Sequence, residues 1–107
     1  MAELLSDLQV EEALADLEGW SREGDSLVRS VEAKTFADGI RLVDRVAVAA
    51  DQQNHHPDID IRWTTVTFRL STHSEGGLTS SDLELAAEID RLASELTGDS
   101  GAAESGA

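Results

Sequence analysis

The chain has 107 residues with 22 acidic and 8 basic side chains, and a formal net charge of −14. Its length suits a single domain, and the lack of cysteine excludes disulfides, thiolate metal sites and cysteine nucleophiles. The negative field disfavours nucleic acids and anionic membranes as partners, and no apolar run is long enough to span a bilayer. The first residues lack a signal-peptide pattern, so we expect a cytoplasmic protein.

The N-terminal third predicts a helix followed by a β-hairpin. In "SDLQVEEALADLEGW", Ser6 is the predicted cap, Gln9 completes a capping box and Gly19 ends the helix. In "WSREGDSLVRSVEA", the Gly24-Asp25 pair predicts the turn between two strands.

The segment "TFADGIRLVDRVAVAADQQN" predicts the second helix. Asn54 is its expected end, since Pro57 disfavours a helical conformation at His56, the residue before it. Five apolar residues recur at helical spacing and form one stripe along this helix: Phe36, Ile40, Val43, Ala47 and Ala50.

Two further strands and a third helix are predicted in the second half. "DIDIRW" and "TVTFRLST" alternate apolar and polar residues, a pattern typical of strands with one face in water. "TSSDLELAAEIDRLASEL" predicts a helix capped by Thr79, with Asp82 at its third position. Its buried side is expected to hold Leu85, Ile89, Leu92 and Leu96.

The order helix, strand, strand, helix, strand, strand, helix predicts an α+β fold. Two hairpins with one-faced strands require a four-stranded antiparallel sheet with the helices packed on one face. We expect one domain over residues 1–97, followed by a flexible tail of acidic and small residues over 98–107.

The three histidines are the candidate functional residues. His55 and His56 stand where the second helix ends, and His73 stands where the fourth strand ends, so both sites are expected at one rim of the sheet. Asp82 begins the last helix just beyond that rim, and Asp51 lies one helical turn before His55.

Structural roles are the competing interpretation of the same residues. A histidine at a helix C-terminus interacts favourably with the helix dipole, Asp82 suits a capping box, Asp51 suits a solvated face, and Trp63 suits a core or an interface. A metal site is disfavoured, because adjacent side chains such as His55 and His56 point to opposite sides of an extended segment. General acid–base chemistry fits better, because a group of imidazoles can give and take protons near neutral pH.

The spacing of these residues resembles a family signature. It runs from an acidic residue through a His-His-Pro sequence, an aromatic residue and a third histidine to an aspartate, here Asp51, His55, His56, Pro57, Trp63, His73 and Asp82. The chain resembles the pterin-4a-carbinolamine dehydratases over roughly residues 4–96. "GW", "STH", "GGLT" and "D.ELA..ID" extend the similarity beyond the signature.

The resemblance implies an activity: dehydration of 4a-hydroxytetrahydropterin to the quinonoid dihydropterin, with no metal and no cofactor. It also implies a homodimer, sometimes paired into a homotetramer. The alternative on the same fold is a binding or assembly factor, since relatives with that role exist.

The resemblance also implies roles for single residues. His55 and His73 would form the acid–base pair, and His56 would help to bind the substrate and position the departing hydroxyl. Asp82 would hold His73 in one tautomer, and Asp51 would support His55 or the polar edge of the pterin ring. The remaining residues expected to bind substrate are Pro57, Trp63, Ser71 and Thr72, the last two through their backbone groups.

Overall fold

A computed structural model of the protein describes residues 3–97. The elements follow the predicted order: α1 (Asp7–Leu14), β1 (Ser21–Glu23), β2 (Ser26–Glu32), α2 (Phe36–Gln53), β3 (Asp58–Arg62), β4 (Thr65–Leu70), a 3-10 turn (His73–Glu75) and α3 (Ser80–Thr97). The tail predicted for 98–107 lies outside the described residues. Across residues 3–97, every helix is too short or too polar to cross a membrane.

The four strands form one antiparallel sheet in the order β1-β2-β4-β3. The central pair β2 and β4 is in register with Val31 opposite Val66, and β3 pairs with the other side of β4, with Ile59 opposite Phe68. Each hairpin therefore supplies one central and one edge strand, and β3 is an edge.

One face of the sheet is apolar and the other is polar, as the alternation predicts. The buried face carries Leu27, Val31, Val66, Phe68 and Leu70. On the opposite face the hydroxyls of Ser30 and Thr67 lie 2.8 Å apart, and the Arg69 guanidinium pairs with the Glu23 carboxylate at 3.2 Å. Because only one face is apolar, the helices cover that face and leave the other to water.

The first and third helices form where they were predicted, but α1 is shorter than expected and Leu96 of α3 is only half-buried. Ser6 and Gln9 form the predicted capping box, and Leu85, Ile89 and Leu92 are buried on α3. Helix α1 ends at Leu14 instead of Gly19. Tight turns follow, with Leu17 N–H donating to the Leu14 carbonyl and Trp20 N–H to the Leu17 carbonyl, and they carry Leu17 and Trp20 into the core.

The apolar stripe predicted for α2 is not the side that the helix buries. The buried residues are Gly39, Leu42, Val46, Ala49 and Ala50. Of the predicted stripe only Ala50 is buried; Ile40 and Val43 are half-buried, while Phe36 and Ala47 are exposed. Apolar residues occupy two neighbouring faces of this helix, and packing against α3 and β4 selects between them, which periodicity alone cannot do.

Strand β3 is one residue shorter than predicted. It ends at Arg62, and Trp63 and Thr64 form the turn into β4. Trp63 has a φ of 55°, in the left-handed region, and its side chain stacks on Phe36 with ring centroids 6.2 Å apart. Trp63 thus lies at a turn and is 76% exposed, so it does not fill the core of this chain.

Candidate active site

The end of α2 places His55 at one rim of the sheet. Asn54 adopts a left-handed conformation at the C-cap, with φ 53° and ψ 43°. The next amide, that of His55, donates to the Ala50 carbonyl at 3.0 Å. This is the six-to-one bond of a Schellman motif, and it holds the His55 backbone where the chain leaves the helix and enters β3.

The start of α3 supplies the carboxylate that faces this histidine. Thr79 caps the helix, since its hydroxyl accepts from the Ser81 amide at 3.3 Å and its own amide donates to Asp82 Oδ2 at 2.9 Å. The capping role predicted for Thr79 and Asp82 is therefore confirmed. The Thr79 amide binds only one of the two carboxylate oxygens of Asp82, Oδ2. The Asp82 side chain is fully buried.

The second oxygen of that carboxylate is bound to a histidine. His55 Nε2 lies 2.5 Å from Asp82 Oδ1, and the His55 side chain is only 12% exposed. A separation this short is typical of a charge-assisted hydrogen bond. A carboxylate can only accept, so the Nε2 atom carries the proton and the imidazole is held in one tautomer.

Two threonine hydroxyls complete the environment of Asp82. Thr72 Oγ1 donates to Asp82 Oδ2 at 2.8 Å and lies 2.8 Å from Thr79 Oγ1. Since the single Thr72 hydroxyl proton is used toward Asp82, the hydrogen bond between the threonines must be donated by Thr79. The Ser81 amide thus donates to Thr79, the Thr79 hydroxyl donates to Thr72, and the Thr72 hydroxyl donates to Asp82. In this chain of hydrogen bonds the Asp82 carboxylate is the acceptor.

His73 lies at the same rim, one residue beyond Thr72. It begins the 3-10 turn, which Gly76 ends with a φ of 75°. The Thr72 amide donates to the Gly77 carbonyl at 2.8 Å and closes the loop. The His73 side chain is exposed. Thr72, the residue before His73, and His55 are both hydrogen-bonded to Asp82. The fold therefore brings the segments that carry His55 and His73 to one place, as predicted.

His56 forms a second, looser pair with Asp51. His56 Nε2 lies 2.9 Å from Asp51 Oδ1, and these side chains are 57% and 78% exposed. Solvent screens a pair of this kind strongly. The rim therefore holds one histidine–carboxylate pair that is largely shielded from water and one exposed pair.

Three contacts within the chain differ from those expected. Asp82 contacts His55 instead of His73, because the 3-10 turn leaves His73 in solvent while α3 packs against the end of α2. Asp51 contacts His56 instead of His55, because the left-handed Asn54 turns the chain after α2; its alternative role at the polar edge of a pterin ring stays a prediction. The backbone of Thr72 is not free to read a ligand, since Gly77 takes its amide, and its carbonyl accepts from the following turn.

The other predicted substrate-binding residues divide into two groups. Pro57 and Ser71 are half-buried and lie where β3 begins and β4 ends, next to the histidines. Trp63 lies at the opposite end of the β3–β4 hairpin, which five strand residues place roughly 16 Å away. Within a single chain the fold does not bring Trp63 to the histidines.

The structure adds two observations about the site: hydroxyl contacts to Asp82, and the grouping of possible metal ligands. The hydroxyls of Thr72 and Thr79 were not predicted to act on Asp82, although the capping pattern of Thr79 was visible; their contact depends on the loop between them. Among residues 3–97, no three acidic or histidine side chains are grouped as metal ligands.

The fold and this rim define the class of protein: an α+β sandwich with a histidine–carboxylate site at the end of its sheet. The family model described as pterin 4 alpha carbinolamine dehydratase matches residues 3–92. The chain belongs to that family, and the resemblance noted in its sequence is confirmed.

Individual relatives agree with this assignment. A Nocardia farcinica protein, named provisionally as a pterin-4-alpha-carbinolamine dehydratase, is 62% identical over 91 residues, which cover 85% of this chain and 96% of that protein. The crystal structure of a transcriptional coactivator/pterin dehydratase from Brucella melitensis superposes with a TM-score of 0.83 at 29% identity, covering 85% of this chain and 99% of that one. A pterin dehydratase-like protein identified as a RuBisCO assembly factor in the alpha-carboxysome shares the fold, with a TM-score of 0.57 at 21% identity, covering 69% of this chain and 86% of that one.

Proposed function

We propose that the protein dehydrates 4a-hydroxytetrahydropterin to the quinonoid dihydropterin and so recycles a pterin cofactor. The observation that carries the proposal is the 2.5 Å contact between the half-buried His55 and the fully buried Asp82, beside the turn that bears His73. A histidine held in one tautomer by a buried carboxylate is well oriented for general acid–base catalysis. Family membership supports the choice of substrate.

The chemistry needs two proton transfers and no redox step. The hydroxyl on C4a leaves as water once an acid protonates it, while the N5 lone pair forms a double bond to C4a. N5 then carries a positive charge and loses its proton to a base. Because one proton is delivered and one is removed, the catalyst is restored at the end of each turnover, and the reaction needs no metal or cofactor.

We assign the two proton transfers to His55 and His73. His55 is oriented by Asp82, and His73 is exposed at the same rim, where it can reach a bound ring. His56, with Asp51 on its outer side, is assigned to holding the substrate, and Pro57 and Ser71 to contacting the ring at the ends of the strands.

The remaining proposals concern the state of the protein in the cell. We infer a homo-oligomeric protein in the cytoplasm, acting on a free pterin and not on nucleic acid or membranes. The net charge of −14 supports the last point, because it repels phosphate groups.

Stopped-flow measurement of synthetic carbinolamine dehydration, compared with the spontaneous rate, tests the proposal. We expect wild-type protein to accelerate the step, and His55→Ala and His73→Ala each to lower turnover at least tenfold, since one positioned acid–base group contributes about 10²- to 10⁴-fold. Asp44→Asn, a change of an exposed carboxylate on α2, is the control and should leave the rate unchanged. A wild-type rate equal to the spontaneous rate would instead favour a binding or assembly role on this fold.

A further inference from the structure

Residues 4–6, here called the N-terminal strap, reach from helix α1 to the loop after β4. The Leu5 amide donates to the Leu78 carbonyl at 2.8 Å. Ser6 is the N-cap of α1 and belongs to its capping box. Three residues of α1 later, Val10 is fully buried in the core. The strap is therefore held at one end by the core, through α1, and at the other end by the loop.

The Leu4 side chain of the N-terminal strap lies over Gly77 of the loop. A Cβ atom at Gly77 would lie 3.0 Å from Leu4 Cδ2, which is shorter than an ordinary van der Waals contact. Gly76 is left-handed, with a φ of 75°, but Gly77 is not. The lack of a side chain at Gly77 is therefore explained by the close approach of Leu4 and not by its backbone conformation.

The loop residues that the strap contacts lie between the two parts of the histidine site. On one side, Gly77 exchanges backbone hydrogen bonds of 2.8 and 3.3 Å with Thr72, which close the turn that bears His73. On the other side, Leu78 is followed directly by the residue that caps α3 and donates to the Asp82 carboxylate. A displacement of residues 77 and 78 is therefore passed on to the histidine turn.

His73 depends on its neighbours for its position more than His55 does. The His55 ring is bound to the buried Asp82 carboxylate. The His73 ring is exposed, and none of the three residues of its turn (His73–Glu75) is buried. A short segment with little buried surface opens easily. The contacts made by residues 77 and 78 are consequently what holds this turn against the rest of the fold.

We propose that the N-terminal strap sets the position of His73 relative to His55, and that Leu4 and Leu5 are positioning residues for the reaction. This role rests on the proposed function, because it concerns the two proton transfers assigned to these histidines. Both leucines act through the turn, Leu4 by its side chain and Leu5 by its amide. Catalysis is sensitive to such placement, since a displacement of about 1 Å can cost about 100-fold in rate.

Two exposed leucines give a matched pair of variants. Leu4 is 55% exposed and Leu8 63%, so replacing either by alanine removes a similar apolar side chain from the surface. We expect Leu4→Ala to lower kcat at least about threefold, a part of the loss that a full 1 Å displacement would cause. KM should change little, because substrate binding is assigned to other residues. Leu8→Ala should keep native kcat in the same stopped-flow assay.

A conservative variant separates positioning from a general effect on the fold. Leu4→Met keeps a long apolar side chain over Gly77 and should retain most of the native kcat. Native kcat in Leu4→Ala, or an equal loss in Leu8→Ala, overturns the positioning role.

Gly77→Ala tests the contact itself. The added methyl group has to displace the Leu4 side chain, so we expect kcat to fall. In the Leu4→Ala background that side chain is absent, and the same substitution should have a smaller effect. A double-mutant cycle measures this coupling. Independent effects of the two substitutions on kcat would overturn the contact as the means by which the strap acts.

Amide hydrogen exchange monitors the turn without an activity assay. The Thr72 and Gly76 amides are hydrogen-bonded within the loop, whereas the His55 amide is bonded to the end of α2. We expect Leu4→Ala to speed exchange at Thr72 and Gly76 several-fold and to leave that of His55 unchanged. Leu8→Ala should alter none of the three. Native exchange at Thr72 and Gly76 in Leu4→Ala overturns the proposal that the strap holds the turn.

The two measurements separate this inference from the proposed function. If wild-type protein does not accelerate dehydration, the proposed function fails and the role of the strap in that reaction fails with it, while exchange still decides whether the strap holds the turn. If wild-type protein is active and Leu4→Ala keeps native kcat, the proposed function stands and the positioning role is rejected.

Discussion

His55 and Asp82 are bound to each other at 2.5 Å although 27 positions separate them in the chain. Neither side chain has much contact with water. Burial of a carboxylate is costly unless its oxygens are satisfied, and here the Thr79 amide, the Thr72 hydroxyl and the imidazole satisfy them. The pair therefore serves both the start of α3 and the candidate active site.

Asp82→Asn should damage both functions. An amide places its NH2 group either against the Thr79 amide or against Nε2 of His55, so two donors face each other or the imidazole changes tautomer. We expect a loss of about 1–3 kcal/mol in the free energy of unfolding and a fall in turnover of about 10- to 100-fold, the range typical of lost orienting partners. Urea titration and stopped-flow rates measure the two effects, with Asp44→Asn as the exposed control. Native turnover in Asp82→Asn would contradict the role given to this carboxylate.

Thr72 should act through its hydroxyl. Thr72→Val keeps the shape but removes the donor to Asp82, so we expect kcat to fall several-fold, while Thr72→Ser keeps the donor and should stay near wild type. Thr67→Val is a matched control, because it removes a similar hydroxyl contact, that with Ser30, on the far face of the sheet. Equal activity in the valine and serine variants of Thr72 would show that the hydroxyl is not used.

His56 and Asp51 should contribute little to stability. Their pair is exposed, and exposed ion pairs contribute about 0.2–1 kcal/mol. We expect Asp51→Ala to change the unfolding midpoint in urea only slightly and His56→Ala to raise KM more than it lowers kcat. Steady-state kinetics over a range of pterin concentrations separates the two. A kcat for His56→Ala as low as that of His55→Ala would place His56 among the proton-transfer groups.

Glu32 should make a pH-dependent contribution to stability. The hydroxyl of Thr64, followed by that of Thr65, donates to this carboxylate and lowers the pKa of Glu32 below its usual value. A lowered pKa in the folded state stabilises the fold above the ordinary glutamate pKa, and this contribution is lost as pH falls through the folded value. The difference in urea midpoint between wild type and Glu32→Gln should therefore be present at neutral pH and disappear in acid. A difference that is constant with pH would contradict this assignment.

The elements of the fold could be predicted because their signals are local. The capping box of Ser6 and Gln9 and the stop at Asn54 depend on residues within one turn of each other. The ends of α1 and β3 were misplaced, because tight turns after Leu14 and a left-handed Trp63 have no strong local signal. The buried side of α2 was also misplaced, because two faces of that helix are apolar.

The sequence predicts that His55 and His73 lie at one rim of the sheet, but it does not predict which side chains are hydrogen-bonded to each other. Spacing along two hairpin strands indicates that His55 and His73 share a rim, since paired strands bring those ends together. Which carboxylate serves which histidine depends on how α3 packs against α2 and on the loop after Thr72. These contacts are set by distances of a few ångströms that no periodicity encodes.

The sequence by itself determined the order of the elements, the antiparallel sheet with one wet face, the family and the rim at which the segments bearing His55 and His73 meet, because each follows from local preference or from spacing. Only the tertiary structure decided that Asp82 binds His55, that Asp51 binds His56, and that Trp63 stands at the far end of the hairpin with its ring uncovered. The physical reason is that hydrogen-bond partners and exposed surfaces depend on the packing of segments distant in the chain, whereas helices, strands and turns respond first to their neighbours.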